Sequence, residues 1–338
     1  MKHITIKDVA KELNCSISTV SRAFNNKYDI KPETRDRILK VATELGYSPN
    51  PIARRLIERR TYTVGVIVPE FINSFFPKTI IGMQEVLLNK GYQVLIMQSN
   101  ESSETELANM KTLVDGFVDG IIVSLTEEDK NISFLKELKE KEFPIVLFNR
   151  VNHTLPLPKI VFDNYKWSMF ATEHLIRQGI TDLKFLGGPK HSYVSNNRKR
   201  GFLDALKKHR LFYSEDLIVE AGFHIEDGDQ AVEALINKDQ LPQGFVCVND
   251  PAAIGCIKAL KRYGYKIPEE IAVVGFTESA VSSLIDPPLT SVSQPAHDIG
   301  VAAAEQLLVQ IESAGKMNPE TITFNGQLNV RESSLRVK

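Results

Sequence analysis

The chain has no apolar run approaching the ~20 residues that a membrane-spanning helix needs. Its three cysteines, Cys15, Cys247 and Cys256, are too few and too scattered for a disulfide framework, which fits a reducing compartment. The seven histidines stand far from one another and from the cysteines, so no metal site is expected. The opening Met1-Lys2-His3-Ile4-Thr5 lacks a secretory apolar segment, and a cytoplasmic protein is the expectation. Catalytic signatures are missing as well: there is no Gly-x-Ser-x-Gly elbow, phosphate-cradling Gly-x-x-x-x-Gly-Lys loop, His-Glu-x-x-His or Gly-x-Gly-x-x-Gly. The nearest approach to a phosphate grip, Gly187-Gly188-Pro189-Lys190, reads as a strand-end turn. No cofactor and no enzyme activity are therefore expected. What is present is an ordinary globular composition, 43% hydrophobic and 25% charged over 338 residues, enough for two or three compact units.

A near-neutral total hides a split. Residues 1–60 hold 13 Lys and Arg against 7 Asp and Glu, a balance of +6, while the rest of the chain carries −7. A small basic head on an acidic body suggests that the head meets a polyanion. Thr5 is a good N-cap for a helix through about Leu13, with Val9, Ala10 and Leu13 as its apolar face. Asn14 stands where a tight turn needs a residue tolerant of positive φ. Ser16 caps a second helix whose Val20 and Ala23 face inward and whose Ile17, Ser18, Ser21 and Arg22 face outward. A third helix opens at Pro32 and stops at Gly46. Two helices joined by a short turn, the second with an exposed amino-terminal face, form a helix-turn-helix, whose second helix fits the DNA major groove. A three-helix protein-docking module has the same outline. The segment 48–60 then offers Asn50 as a cap, Pro51 as a start and two turns of helix with an apolar side (Ile52, Ala53, Leu56) and a basic side (Arg54, Arg55, Arg59). So short a helix is marginal alone in water and needs an outside surface to form.

Three segments in order, Ile4-Thr5-Ile6-Lys7-Asp8-Val9-Ala10, Ser18-Thr19-Val20-Ser21-Arg22-Ala23-Phe24-Asn25 and Gly46-Tyr47-Ser48-Pro49-Asn50, resemble the head of the lactose-repressor/galactose-repressor family, and the likeness continues to the carboxyl end. The resemblance implies that Ile17, Ser18 and Arg22 read base edges. It also implies that Leu56, paired with its twin from a second subunit, wedges into the minor groove at the operator centre. Thr5, Ser16, Thr19, Ser21 and Asn25 in the head, and Asn50, Ala53 and Arg54 in the hinge helix, complete the DNA-contacting set it implies. Arg22 suits guanine O6 and N7, whereas Ile17 has no hydrogen-bonding capacity and suits a thymine methyl or a sugar. The chain departs from the family at Asn14, where glycine is frequent, and at Pro51 inside the hinge.

From Thr63 onward, strand and helix alternate. The expected strands are 64–68, 93–98, 120–124, 145–149, 182–186, 217–221, 245–249 and 271–276, with amphipathic helices between them. Short apolar strands separated by helices indicate parallel sheets covered on both faces. The fold class is thus a three-helix helix-turn-helix head with a hinge helix, then a two-lobed α/β body. The resemblance implies that this body is like bacterial sugar-binding receptors. The expected domains are 1–47, a hinge at 48–61, and a body at 62–338. Lobe one would span about 62–160 and 290–318, lobe two about 161–289 and 319–338; Leu289–Pro295 would cross back to the first lobe and 321–332 would return to the second.

Ligands of open α/β sheets bind beyond the carboxyl ends of strands, so two facing lobes make a cleft. Its expected lining is Asn73-Ser74-Phe75-Phe76, Asn149-Arg150, Arg198, Phe223, Asn249-Asp250, Thr277 and Gln294. The effector-binding candidates among these are Phe75, Phe76, Asn149, Arg198, Phe223, Asn249, Asp250, Thr277 and Gln294. Each has a plainer reading: Asn249-Asp250-Pro251 is also a good helix start, and the phenylalanines suit a core. The family's ligand-gripping arginine falls on Arg198. Its usual acid at the end of a Val-Gly-Phe strand is replaced by Thr277, which accepts hydrogen bonds without charge. The expected partners are double-stranded operator DNA, a small effector such as a sugar or derivative, and a second copy of the chain. A dimer is favoured over a tetramer because no leucine heptad follows the last helix. A ligand-controlled repressor is the leading reading; an exported solute receptor lacks its signal segment, and a sugar-acting α/β enzyme lacks its motif.

Overall fold

The computed structural model describes residues 4–24, 30–47, 60–116, 118–316 and 318–336. They form two compact units, Met1–Tyr62 and Thr63–Lys338. In the first, α1 (Ile6–Glu12), α2 (Ile17–Phe24) and α3 (Pro32–Glu44) enclose a small core of Val9, Ala10, Val20, Ala23, Ile38 and Ala42. Local chemistry sets each boundary. The Thr5 backbone N–H donates to Asp8 Oδ2 at 2.8 Å, Asn14 takes the turn with φ 47°, and Ser16 Oγ accepts from Thr19 N at 3.1 Å. Gly46, at φ 71°, ends the third helix. The expected hinge helix, with Asn50, Ala53, Arg54 and Leu56, lies outside the described residues, as does Asn25.

The second unit holds two six-stranded sheets. In chain order its elements begin with β1 (Thr63–Val68), α4 (Phe75–Asn89), β2 (Gln93–Gln98), α5 (Ser103–Asp115), β3 (Gly120–Val123), α6 (Ile132–Glu140), β4 (Ile145–Phe148), β5 (Lys159–Phe162) and α7 (Asn164–Arg177). They continue with β6 (Leu183–Gly187), α8 (Tyr193–Lys208), β7 (Ile218–Glu220), α9 (Ile225–Ile236), β8 (Gly244–Cys247), α10 (Asp250–Arg262) and β9 (Ala272–Thr277). The last are β10 (Thr290–Ser293), α11 (Ala296–Glu312), β11 (Thr321–Phe324) and β12 (Gln327–Asn329). The first sheet has the order β11-β5-β4-β3-β1-β2 and the second β12-β10-β9-β8-β6-β7. Among the described strands only β12 runs antiparallel to its neighbour. The central strands β1, β3, β4, β8 and β9 are buried almost throughout, because helices cover both faces. Helices α4 and α11 pack so closely that a Cβ on Gly82 would lie 2.2 Å from the His297 carbonyl oxygen and one on Gly300 2.0 Å from that of Thr79.

The lobe boundaries differ from the sequence expectation at both returns. Residues 290–293 do not belong to lobe one: they form β10 beside β9 in the second sheet, and the crossing to the first lobe follows at Gln294-Pro295. Nor do residues 321–324 belong to lobe two, since β11 pairs with β5 in the first sheet and the return comes at Asn325-Gly326. Lys159–Phe162, which the expected boundary between 160 and 161 would divide, lies wholly in the first sheet as a strand. Thr-Ser-Val-Ser, Thr-Ile-Thr-Phe and Lys-Ile-Val-Phe are too short and too mixed to announce a partner; long-range pairing decides where they go. The crossings run close together. Asp163 N donates to Phe324 O at 3.1 Å, and a Cβ on Gly326 would meet Ser293 O at 2.4 Å, so only glycine lets those strands pass.

Candidate functional site

Two surfaces carry chemistry. The first is the start of α2, where Ser16, Ile17, Ser18 and Arg22 are exposed, Ile17 with 44% of its surface open. Ser16 Oγ lies 2.7 Å from Ser18 Oγ and 2.8 Å from Thr19 Oγ1, so the cap also orients the hydroxyls beside it. Thr5, exposed at the start of α1, and Ser21, half-buried on α2, complete the described part of the DNA-contacting set expected from the sequence.

The second is a cleft between the lobes of the body. It is lined by Glu70, Asn73, Phe75, Phe76, Asn149, Arg150, Val194, Arg198, Phe223, Asn249, Thr277 and Gln294. Eight of the nine effector candidates are thus brought together, five of them (Asn149, Phe223, Asn249, Thr277 and Gln294) at or just beyond the carboxyl ends of strands. Asp250 is the exception. It is fully buried behind the wall, where Oδ2 accepts from Ser279 N at 2.6 Å and from the Ser282 hydroxyl, and Oδ1 accepts from Ser291 Oγ at 2.6 Å. Its place in the chain, beside Asn249 and before a proline, gave no sign that the side chain turns inward. Asn249 serves both readings: Oδ1 caps α10 through Ala252 N at 2.9 Å, Nδ2 donates to Phe223 O at 2.8 Å, and the residue still borders the cleft.

The walls differ in character. On the first lobe, Phe75 and Phe76 meet edge to face at 5.4 Å, and Phe76 packs likewise on Phe148. Arg150 donates to both carboxylate oxygens of Glu101 at 2.7 and 2.9 Å and lays its guanidinium 5.1 Å from the Phe223 ring of the other lobe. On the second lobe, Arg198 lies 3.6 Å above the Phe276 ring and donates through Nε to Asn164 Oδ1 at 2.8 Å. Burial pushes its guanidinium pKa down to about 9, against the pull of Asp250. Thr277 sits at φ 105°, a strained setting for a β-branched residue, followed by Glu278 at φ 58°. Glu70, which the sequence reading did not include, follows β1 and accepts from Asn73 N at 2.8 Å. Its signal was position alone: it stands at a strand's carboxyl end, like the residues that were included.

Behind the lining, Glu128 of the first lobe accepts from the backbone N–H of Tyr193, at the start of α8 in the second lobe, at 3.1 Å. The His153 and Tyr193 rings meet beside it at 4.6 Å. Burial raises the Glu128 carboxyl from 4.5 to about 8, outweighing the attraction of Arg150 and the Tyr193 N–H. Folded protein therefore keeps a proton that unfolded chain loses between about pH 4.5 and 8, so this group's stabilisation is present below that window and fades through it. Glu128→Gln, which keeps an acceptor for Tyr193 N–H, is expected to flatten the fall in melting temperature across the window and to melt higher than wild type at its alkaline end. Parallel curves for the two proteins in thermal denaturation at several pH values would refute this.

Among the described residues no group of His, Cys, Asp and Glu is placed to hold a metal, and no helix is long and apolar enough to cross a membrane. The model of bacterial regulatory proteins of the lacI family matches residues 5–50, and that of a periplasmic binding protein-like domain matches residues 172–334. The chain is 32% identical over 336 residues to catabolite control protein A of Priestia megaterium, covering 98% of this chain and 99% of that one. It is 31% identical over 311 residues to the ribose operon repressor of Halalkalibacterium halodurans, covering 91% and 90%. Among solved structures, the regulator CelR in its cellobiose complex superposes with a TM-score of 0.75 at 26% identity, covering 98% of this chain and 99% of that one. The lac repressor dimer bound to operator and the anti-inducer ONPF superposes with a TM-score of 0.88 at 22% identity, over 99% and 100%, a likeness of fold. Relatives that are alike from end to end, and that are named as regulators of transcription, place the function on DNA. The chain belongs to the lacI family of bacterial regulatory proteins.

Proposed function

We propose that this lacI-family regulator represses carbohydrate-related genes as a homodimer on a near-palindromic operator, under the control of a small effector held in the cleft. The observation that carries the reading is the convergence of side chains from both lobes on one cleft, in a chain whose first unit is a helix-turn-helix. The names of the ribose operon repressor and of the CelR–cellobiose complex support the carbohydrate assignment. Ile17, Ser18 and Arg22 contact base edges; Thr5, Ser16, Thr19, Ser21 and Asn25 support them. The hinge, 48–61, contributes Asn50, Ala53, Arg54 and the wedge Leu56, which bends the duplex. Phe75, Phe76, Asn149, Arg198, Phe223, Asn249, Thr277 and Gln294 hold the effector, and Asp250 shapes the wall behind them. A second copy covers the apolar residues exposed on the first lobe, Ile81 and Leu88 on α4 with Leu95 and Ile96 on the edge strand β2. The protein acts in the cytoplasm, at the nucleoid when bound.

Effector binding changes the angle between the lobes and so the spacing of the two hinge helices. DNA and effector then influence each other reciprocally, by ~1–3 kcal/mol. The test is a gel shift of chromosomal fragments at two salt concentrations, with and without cell extract. A retarded band is expected whose log affinity falls against log salt with a slope of about −0.9 per phosphate contacted, and whose intensity extract alters. No retarded fragment under any condition would overturn the reading.

A further inference from the structure

The second-lobe wall of the cleft holds a buried cation that makes no ion pair among the described residues. Arg198 is 4% exposed, and its neighbours are the Asn164 amide oxygen, the Val248 carbonyl oxygen and the face of Phe276. Among the described residues no carboxylate lies within ion-pair distance of it, and its Nη2 makes no hydrogen bond. Asp250, whose charge attracts the guanidinium without an ion pair, has its oxygens occupied by Ser279, Ser282 and Ser291. On the facing wall the arrangement is the reverse: Arg150 is already neutralised in a two-pronged pair with Glu101. A buried charge left without a partner is costly, and proteins retain one where something else completes it.

A second, independent observation comes from Gln294. Its side chain lines the same cavity, is 7% exposed, and its Nε2 finds no acceptor among the described residues. The end of β9 supplies Thr277, an uncharged hydroxyl, at this wall. The wall therefore presents a guanidinium, an amide N–H and a hydroxyl, with no anion. The acceptors lie across the cleft, where Glu70, Asn73 and Asn149 suit hydroxyl groups.

Resting on the reading of the cleft as the effector site, we propose that the effector carries an anionic group, a carboxylate or a phosphate, which docks against Arg198, Gln294 and Thr277 on the second lobe. The hydroxyl-bearing remainder of the ligand faces the first lobe. The anion supplies the missing counter-ion and takes the unused Gln294 donor.

The test uses full-length protein and two fragment probes, inorganic phosphate and acetate, against chloride at equal ionic strength. Binding is read by thermal shift and by calorimetry. At least one probe is expected to bind in the millimolar range and to stabilise beyond chloride; which of the two does so identifies the anion. Thr277→Asp places a carboxylate at the wall, and aspartate tolerates positive φ better than threonine. It should weaken the responsive probe about tenfold or more, the size of one lost charge-assisted hydrogen bond. Gln294→Met, close in shape and without the donor, should weaken it about threefold to tenfold, the range of a neutral hydrogen bond. Should neither probe outdo chloride, the anionic assignment is overturned, while control of operator binding by cell extract still stands or falls on the gel shift. Should a probe bind equally well to wild type and both variants, it sits elsewhere and the assignment is again overturned.

Discussion

Asp250→Ala is expected to destabilise the body by about 3 kcal/mol or more, because three donors lose their acceptor in a place water does not reach. For a unit of this size that lowers the melting temperature by roughly 6–12 °C. The carboxylate ties α10 to two other segments: to β10 through the Ser291 hydroxyl, and to the turn after β9 through Ser279 N and the Ser282 hydroxyl. The sequence makes room for it, since a Cβ on Gly275 would lie 2.3 Å from Asp250 Oδ1 and 2.8 Å from Leu289 Cδ2. The same turn contains the left-handed Thr277 and Glu278, a conformation that persists only while surrounding bonds hold it. Glu278 N donates to Ser291 Oγ at 3.1 Å, and Arg331 bridges to the Glu278 carboxylate, so Asp250 sits at the centre of that restraint. Asp250→Asn keeps one acceptor oxygen and should lose about half as much. The measurement is a denaturant or thermal melt of the three proteins. An alanine variant as stable as wild type would show that the turn is held by other means, and that Asp250 has no part in shaping the Thr277 wall.

Much of the head was readable because its signals are local. Thr5, Asn14, Ser16, Pro32 and Gly46 each act within a few residues, through a cap, a positive φ or a missing N–H, and the structure uses each of them where the sequence placed it. The central strands were readable for a similar reason: five or six consecutive apolar residues such as Val64–Val68 leave little alternative to burial on both faces. Two kinds of feature were not. The allegiance of β5, β10 and β11 to a sheet depends on partners outside the segment itself, more than a hundred residues away where Thr321 pairs with Lys159, and four residues of mixed polarity do not encode that choice. The inward turn of Asp250 depends on Ser279, Ser282 and Ser291, three serines unremarkable by themselves. The cleft lining was legible as positions, since strand ends can be counted off a sequence, whereas the pairing of Arg150 with Glu101 and the want of a partner for Arg198 are visible only in three dimensions.

Arg22→Ala is expected to remove most of the preference for the operator while leaving affinity for unrelated DNA little changed. A guanidinium that donates two hydrogen bonds to one guanine edge discriminates by ~1–3 kcal/mol, or about fivefold to 150-fold in affinity. Arg22 meets the geometric requirement: it is exposed on α2, one turn beyond the Ser18 that shares its outer face, while Val20 and Ala23 fix the helix to the core. Arg35 provides the contrast. Its Nε donates to the Ala23 carbonyl at 3.2 Å, closing the end of α2 onto α3, so alanine there should lower the melting temperature of the head and weaken all DNA binding together. The two variants separate a reader of bases from a brace for the reader. Titrations of specific and scrambled duplexes at two salt concentrations make the distinction, because loss of a base contact alters the ratio between duplexes and barely alters the salt slope. If Arg22→Ala weakens both duplexes in equal proportion and lowers the slope by about one phosphate contact, the side chain lies on the backbone and the recognition role passes to Ile17 and Ser18.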